Sequence, residues 1–408
     1  MRCFVVKGGH AQPLWAGHPW VYAEGVEERA PEEGEGTEDD AADVVLVRDE
    51  NGRTIGRGLL SEHSAIRVRL LDRPPLAGSV STLLEGRIRG ACRLRQRLFP
   101  DPACTNAYRL VHAEGDGLPG LVVDRYADVL VAQFATAPLH RRREALAATL
   151  LAESGASALV ARPAGYEEEE GIAVDDVPFH RGAPLPPQLE VKEEGMTFEV
   201  EPLLGQKTGH YADQRENRVH VASLARDADV LDLYAGTAGF SVQSMRHGAK
   251  SALAVESSPR AAAAAVRIAE LNGIDTGLDV READVRHVLK ELKHADRTFD
   301  VVVLDPPNFF PRKGTSGYAI KAHRELNVQA LTRAAPGGML ATFTCSARFD
   351  AATWRELVLS SARECRRSLR VVRELTAGPD HPVSGAAPDG RYLTGLLVIV
   401  DPWSGAGT

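Results

Sequence analysis

The segment Val230–Ser258, VLDLYAGTAGFSVQSMRHGAKSALAVESS, decides how the rest of the chain is read. It runs as strand, glycine turn, helix and strand, with an acid on each strand. Val230–Tyr234 is short, apolar and β-prone, Gly236 and Gly239 supply a tight turn and close backbone approach, and Phe240 opens a helix. Ala252–Val255 forms the next strand and ends in Glu256, placed to accept both hydroxyls of a ribose. The turn is Gly-x-x-Gly and not the dinucleotide Gly-x-Gly-x-x-Gly, so glycine spacing does not select a ligand. Asp232 does. A carboxylate on the first strand repels a pyrophosphate by about 1 kcal/mol or more at a few ångströms, but suits an ammonium and a sulfonium. S-Adenosylmethionine carries that pair; NAD, or an αβ core with no ligand, is the competing reading.

The alternation continues downstream. Pro259–Asn272 is an alanine-rich helix with proline in its first turn. Leu278–Ala283 is a third strand ending in Asp284, placed to accept from an adenine amino group, and Phe299–Leu304 is a fourth. A helix over Tyr318–Ala335, a strand over Gly338–Thr344, a helix over Ala351–Arg367 and strands over Leu369–Leu375 and Gly395–Val400 complete an α/β, Rossmann-like sheet of seven strands, the last two antiparallel. The cofactor residues expected are Asp232, Gly236, Thr237, Gly239, Phe240, Glu256, Ser257 and Asp284, joined by Tyr211, Gln214 and Asp305.

Upstream the pattern changes. Residues 1–74 hold short alternating segments, Cys3–Lys7, Ala42–Arg48, Thr54–Leu60 and Ala65–Leu71, with Asn51-Gly52 as a type I′ hairpin signal. A small β-barrel is expected, interrupted by the acidic insert at 32–43. Trp20 and Tyr22 suit a base-stacking platform, with buried core aromatics as the more common alternative. From Pro74-Pro75 a helix over Ser79–Phe99 concentrates Arg87, Arg89, Arg93, Arg95 and Arg97, a phosphate-tracking face or equally a solvated one. Strands near Arg109–Val111, Leu121–Asp124 and Val129–Phe134 and a helix over Leu139–Glu153 make 75–188 an α+β middle domain. Residues 189–408 form the third. The polar loop Gly205–Arg218 precedes the cofactor strand and offers Gln206, Lys207, Thr208 and Asp213 to a substrate.

The formal charge of −8 conceals an asymmetry. Glu27–Asp43 carries −8 and Glu167–Asp176 carries −6, leaving +6 for the remainder, which keeps a polyanionic partner open. Five cysteines without a Cys-x-x-Cys pair argue against a disulfide framework and a zinc site. No run approaches the ~18 apolar residues of a membrane span, so a cytoplasmic protein is expected.

Two strand ends carry the expected chemistry. Asp305-Pro-Pro-Asn-Phe309 aims a carboxylate and a carbonyl at the edge of a planar heterocycle, with Pro306 and Pro307 fixing the backbone and Phe309 or Phe310 stacking. Thr344-Cys345-Ser346 supplies a thiol. Cytosine C5 is not nucleophilic until something adds to C6, and a thiolate suits that addition. Asp305 then holds a proton at N3. The competing reading for Cys345 is a buried structural thiol.

Gln206-Lys-Thr-Gly, Asp213-Gln-Arg-Glu-Asn-Arg218, Asp305-Pro-Pro-Asn-Phe309, Thr344-Cys-Ser346, Gly17-His-Pro-Trp-Val21, Asp380-His-Pro382 and Gly390-Arg-Tyr-Leu393 together resemble the bacterial ribosomal RNA large-subunit methyltransferase I family. The resemblance runs nearly end to end. It implies an N-terminal PUA domain, a middle domain, a Rossmann-like methyltransferase domain, S-adenosylmethionine as cofactor, 5-methylcytosine as product and Cys345 as the catalytic thiol. It implies ribosomal RNA, naked or in an early assembly intermediate, as the partner, no membrane, and a homodimer as an option. The family's aromatic-Thr-Gly-Gly-Phe turn appears here as Ala235-Gly-Thr-Ala-Gly-Phe240. Guanine or adenine N-methylation, and an inactive RNA-binding assembly factor, are the rival functions.

Overall fold

The computed structural model describes residues 1–29, 42–205, 208–309, 317–346 and 348–402. Two compact units result: Met1–Lys192 with Val200–Ala212 and Pro379–Gly390, and Glu193–Glu199 with Asp213–Gly378 and Arg391–Thr408. Of the stretch expected as one domain over 189–408, Leu189–Lys192, Val200–Ala212 and Pro379–Gly390 group with the first unit.

In the first unit, β1 (Arg2–Val6), β2 (Trp20–Tyr22), β3 (Val26–Arg29), β4 (Val44–Arg48), β5 (Thr54–Leu60) and β6 (Ile66–Asp72) form one sheet in the order β2-β6-β5-β4-β1-β3. A short helix α1 (Ala11–Trp15) follows β1. Phe4, Val6, Leu14, Val21, Val45, Val47, Ile55 and Val68 make its core. The β4–β5 turn is not type I′. Only Gly52 has positive φ (+80°), and the Asp49 carboxylate accepts from the Asn51 and Arg53 amides at 3.0 and 2.9 Å. An Asx-type bond replaces the second left-handed residue that a type I′ turn requires. Of the insert at 32–43, residues 32–41 lie outside the described residues. Asp43 at its end is clamped by Arg141 and Arg142, each at 2.6 Å.

Helix α2 (Val80–Leu98) starts where the Ser79 hydroxyl accepts the Thr82 amide. Val80, Leu84, Ile88, Ala91 and Arg95 recur at helical spacing and are buried. The first four join Val44, Leu59 and Leu71 with Leu110, Val123 and Leu130 in a core common to both sheets of this unit. Each such aliphatic residue contributes about 1.5–3 kcal/mol on burial. The second sheet, ordered β11-β10-β9-β8-β7, comprises β7 (Ala107–His112), β8 (Leu121–Tyr126), β9 (Val129–Phe134), β10 (Ala158–Ala161) and β11 (Phe179–Gly182). The last two strands have no counterpart in the sequence reading. The helix expected over Leu139–Glu153 is broken at Arg142 into α3 (Ala137–Arg141) and α4 (Arg143–Ser154), and a single turn, α5 (Glu167–Glu170), lies in the second acidic run.

The arginine stripe divides. Arg95 is fully buried, forked onto Asp116 at 2.6 and 2.8 Å and donating to the Asp380 carbonyl at 2.7 Å. Arg87 donates to the Gly117 and Leu71 carbonyls, and Arg89 pairs with Glu153. Arg93 and Arg97 are exposed. Trp20 is half-buried with its indole N–H on Glu114, and Tyr22 is 44% exposed, so these are not core aromatics.

Strands β12 (Leu189–Glu193) and β13 (Met196–Val200) form a two-stranded sheet. In the second unit α6 (Arg215–Ser223) leads to β14 (Asp229–Leu233), α7 (Gly239–Arg246), β15 (Ser251–Glu256), α8 (Pro259–Leu271), β16 (Leu278–Glu282), α9 (Val285–His294) and β17 (Phe299–Leu304). Then come α10 (Gly317–Arg333), β18 (Ala334–Thr344), α11 (Ala351–Glu364), β19 (Arg367–Thr376) and β20 (Thr394–Pro402). The sheet order is β16-β15-β14-β17-β18-β20-β19, parallel except for β20, which runs antiparallel to both neighbours. The strand order reverses between β14 and β17, and a sheet of this kind gathers ligands at the carboxyl ends of its strands beside that point.

Candidate active site

Around the switch point the first element is the glycine turn. Gly236 has φ of +56°, and among the described residues, its chain neighbours aside, no atom lies within 4 Å of where a β-carbon would stand. Its amide donates to Glu256 Oε2 at 2.9 Å, while Glu256 Oε1 accepts the Ser258 amide at 2.8 Å. The carboxylate at the tip of β15 is thus fixed beside open space over a glycine. Ser257 is exposed and Thr237 half-buried. At the tip of β16, Asp284 caps α9 through Oδ1, which accepts the Arg286 and His287 amides. Two strand-tip carboxylates next to an uncovered glycine turn fit a nucleoside with a ribose diol and an exocyclic amine.

Gly239 has another task. A β-carbon there would stand 2.7 Å from Arg218 Cδ. Arg218 is buried and forked onto the equally buried Glu193 at 2.8 and 2.7 Å. The second glycine of the turn thus makes room for an arginine of the Asp213–Arg218 motif. Phe240 packs its ring on Phe343 at 5.6 Å inside the core, so packing accounts for its side chain.

Asp232 is 1% exposed, and its Oδ2 accepts the Ser241 hydroxyl at 2.8 Å and the Ser241 amide at 3.2 Å. Burial pushes its carboxyl up to about 6 against the hydrogen bonds from Ser241. An anion desolvated this far gains from a cation brought near it.

Asp305 and Cys345 leave neighbouring parallel strands at one edge. β17 pairs β18 with Leu304 opposite Thr342, so both residues emerge at the carboxyl end, Asp305 directly after β17 and Cys345 directly after β18. Both are half-buried, and Cys345 is outside any disulfide. The Asp305 amide donates to the Leu233 carbonyl at 3.3 Å, and Gln214 donates to Asp305 Oδ2 at 2.9 Å. Pro306 is buried and Pro307 exposed. Phe309 lies edge-on to His323 at 5.1 Å.

His323 was not singled out from sequence. It is buried on α10 and meets Phe309, Phe349 and Trp354 edge-on at 5.1, 5.4 and 5.3 Å, so it touches the loops after both β17 and β18. Burial holds its imidazole down to about 4, in the neutral form. Asn327 ties the same helix to β18, donating to the His323 carbonyl and accepting from Thr342, both at 2.9 Å.

Asp213 is buried and accepts the Tyr392 hydroxyl at 2.6 Å. That gives Tyr392, in the motif Gly390–Leu393, a partner. Thr208, in the first unit, donates to Asp124 and lies 3.1 Å from the Tyr126 hydroxyl, buried. Tyr211 of that unit is exposed. Gln206, Lys207 and Phe310 lie outside the described residues. Among the described residues no cluster of metal-ligating side chains occurs, and no helix is long and apolar enough to cross a membrane.

The profile of a PUA-like domain matches residues 4–73, and that of S-adenosylmethionine-dependent methyltransferases matches residues 109–394. A ribosomal RNA large subunit methyltransferase I from Shewanella denitrificans is 33% identical over 397 residues, covering 97% of this chain and 98% of that protein. One from Alteromonas mediterranea is 34% identical over 386 residues, covering 94% and 95%. Among solved structures, a SAM-dependent methyltransferase from Streptococcus mutans aligns with a TM-score of 0.82 at 20% identity over 98% of this chain and 100% of its own. A methyltransferase complexed with SAH aligns at 0.83 and 19% identity, over 98% and 100%. These two likenesses are of fold.

Proposed function

The chain belongs to the S-adenosylmethionine-dependent methyltransferases and, within them, to the ribosomal RNA large subunit methyltransferase I family, and on that premise we propose that it methylates cytosine C5 in large-subunit ribosomal RNA through a covalent Cys345 adduct. S-Adenosylmethionine supplies a methyl group made electrophilic by its sulfonium. Glu256 would hold the ribose, Asp284 the adenine amine, and the desolvated Asp232 would meet the cofactor's positive charge.

The reading is carried by one observation: a thiol and a carboxylate at the same edge of adjacent parallel strands. The base is turned out of its stack. Cys345 as thiolate forms a bond to C6, the C5=C6 electron pair shifts toward N3, and N3 takes a proton from Asp305. C5, now enamine-like, takes the methyl group and then loses its proton to a base. The restored double bond expels the Cys345 thiolate, and the N3 proton returns to Asp305. Asp213, steadied by the Tyr392 hydroxyl, is the candidate base among the described residues. Residues 4–73 would hold the RNA, with Tyr22 exposed for stacking.

RNA carrying 5-fluorocytidine tests the adduct, because fluorine at C5 blocks the final proton loss. The wild-type protein should form a denaturation-resistant complex and Cys345→Ala none. Methyl transfer to unmodified RNA by Cys345→Ala would sink the covalent route and point to N-methylation of a purine. RNA binding without S-adenosylmethionine binding in calorimetry would point to an inactive assembly factor.

A further inference from the structure

Two sequence motifs that the methyl transfer leaves without a task meet in the first unit. A β-carbon at Gly17, which opens Gly17–Val21, would stand 2.8 Å from the Ala386 β-carbon, and one at Gly115 would collide with the Pro382 carbonyl. The segment that follows Asp380-His-Pro382 is thereby seated tightly against Gly17 and Gly115. Beside this contact lies a cleft of about 170 Å³, lined by Pro19, Asp72, Arg73, Arg87, Glu114 and Ser384. A cavity of about 150 Å³ holds benzene, so a phosphodiester group fits here.

The charges of the cleft do not balance. Asp72 is answered by Arg57, whose Nη2 donates to Oδ2 at 2.6 Å, and Glu114 accepts the Trp20 indole N–H at 2.9 Å. Arg87 donates to the Leu71 and Gly117 carbonyls, and Arg73 donates through Nη2 to the His18 carbonyl at 3.3 Å. Among the described residues neither guanidinium has a carboxylate partner, and Arg73 Nη1 is buried without an acceptor. Burial lowers the pKa of both, for Arg87 against the field of Asp72. With Asp72 assigned to Arg57, two cations face one carboxylate, and the surplus matches the charge of a single phosphodiester. A buried charged donor without an acceptor is costly, so an anion entering the cleft gains by drawing the Arg73 guanidinium toward it. Ser384 Oγ accepts the Ala386 amide at 3.3 Å, which leaves its own proton for a ligand.

We propose that this cleft seats one phosphodiester of the substrate RNA, with Arg73 as its charged donor and Ser384 as its hydroxyl donor. The proposal rests on ribosomal RNA as the partner and not on the cytosine chemistry. A phosphate contact of this kind fixes the register of the RNA on the first unit and reads no base.

Filter binding of a large-subunit ribosomal RNA transcript, and of an unrelated RNA of equal length, over about 50–200 mM salt tests the seat. Arg73→Met keeps the bulk of the side chain and removes its charge. It should weaken binding of both RNAs roughly tenfold, the worth of one hydrogen bond to a charged group, and flatten the slope of log K against log salt by about 0.7–0.9, the share of one phosphate. Ser384→Asp keeps an acceptor for the Ala386 amide and sets a carboxylate in the cleft. It should do the same, and it decides the matter if Arg73→Met does not fold. Wild-type affinity in either folded variant overturns the inference. Weaker binding at an undiminished slope overturns it too, since that marks a packing role. Inorganic phosphate is the second probe: calorimetric binding that Arg73→Met abolishes, with RNA affinity untouched, makes the cleft a seat for a free anion and again overturns the inference. A wild-type chain that binds neither RNA removes the partner itself, whereas wild-type binding with an unaltered Arg73→Met removes the phosphate seat alone.

Discussion

Two buried groups of the second unit should tilt its stability against pH in opposite directions. Asp232 titrates at about 6 in the folded protein against an ordinary value of 3.8. Between those values the folded chain keeps a proton that the unfolded chain has lost, so this group makes the protein less stable as pH rises from about 4 to 6. His323 titrates at about 4 against an ordinary 6.5. Over nearly the same window the unfolded chain holds a proton that the folded chain refuses, so this group makes the protein more stable as pH rises. Each displacement spans a little over two pH units, equivalent to about 3 kcal/mol. The two contributions largely cancel in the wild type. Asp232→Asn keeps an oxygen for Ser241, and His323→Phe keeps an aromatic edge for Phe309, Phe349 and Trp354. Equilibrium urea unfolding at closely spaced pH values from 4 to 7 gives a difference curve for each variant against wild type. The Asp232→Asn difference should rise by about 3 kcal/mol across the window and the His323→Phe difference should fall by about as much. A flat difference curve for either one refutes the account of that residue. Cofactor binding supplies a corollary: if its positive charge meets Asp232, calorimetry near pH 6 in buffers of different ionisation enthalpy should detect proton release.

Other outcomes follow from the glycine turn and the exposed aromatics. Gly239→Ala should destabilise the protein by about 1–3 kcal/mol through overpacking on Arg218, and in an Arg218→Met background the same change should become neutral or stabilising, as alanine replacing glycine in a helix usually is. Ala238, at φ of +59°, stands where an L residue costs about 1–2 kcal/mol. Ala238→Gly should therefore raise Tm by about 1–2 °C once glycine's greater chain entropy is offset. Tyr22→Ala should weaken RNA binding in a filter assay and leave cofactor affinity unchanged; equal affinity for RNA would remove Tyr22 from the contact surface.

The αβ alternation from Val230 onward was legible because strand and helix periods differ and because Pro259 with Ser258 marks a helix start at its own position. The strand-tip acids were legible for the same reason. Local pattern could not reveal partners far away in the chain. Asp213 meets Tyr392 across 179 positions, and Arg95 meets Asp380 across 285. Arg95 read as one of five exposed cations because helical spacing alone does not say which side of α2 is covered. The packing role of Gly239 left no trace in the sequence because nothing in the turn announces Arg218. His323 carried no signal at all, since a single histidine in a helix looks alike on a surface and in an aromatic cluster.

The return of Pro379–Gly390 to the first unit bears on how the protein is made. Asp380 receives the Arg109 amide on Oδ2 and lends its carbonyl to Arg95, groups that are synthesised nearly three hundred residues earlier. While the nascent polypeptide emerges, those early donors wait without their final acceptor, and the first unit is whole only once residues 379–390 have been made. A message cut short before codon 379 leaves neither unit complete.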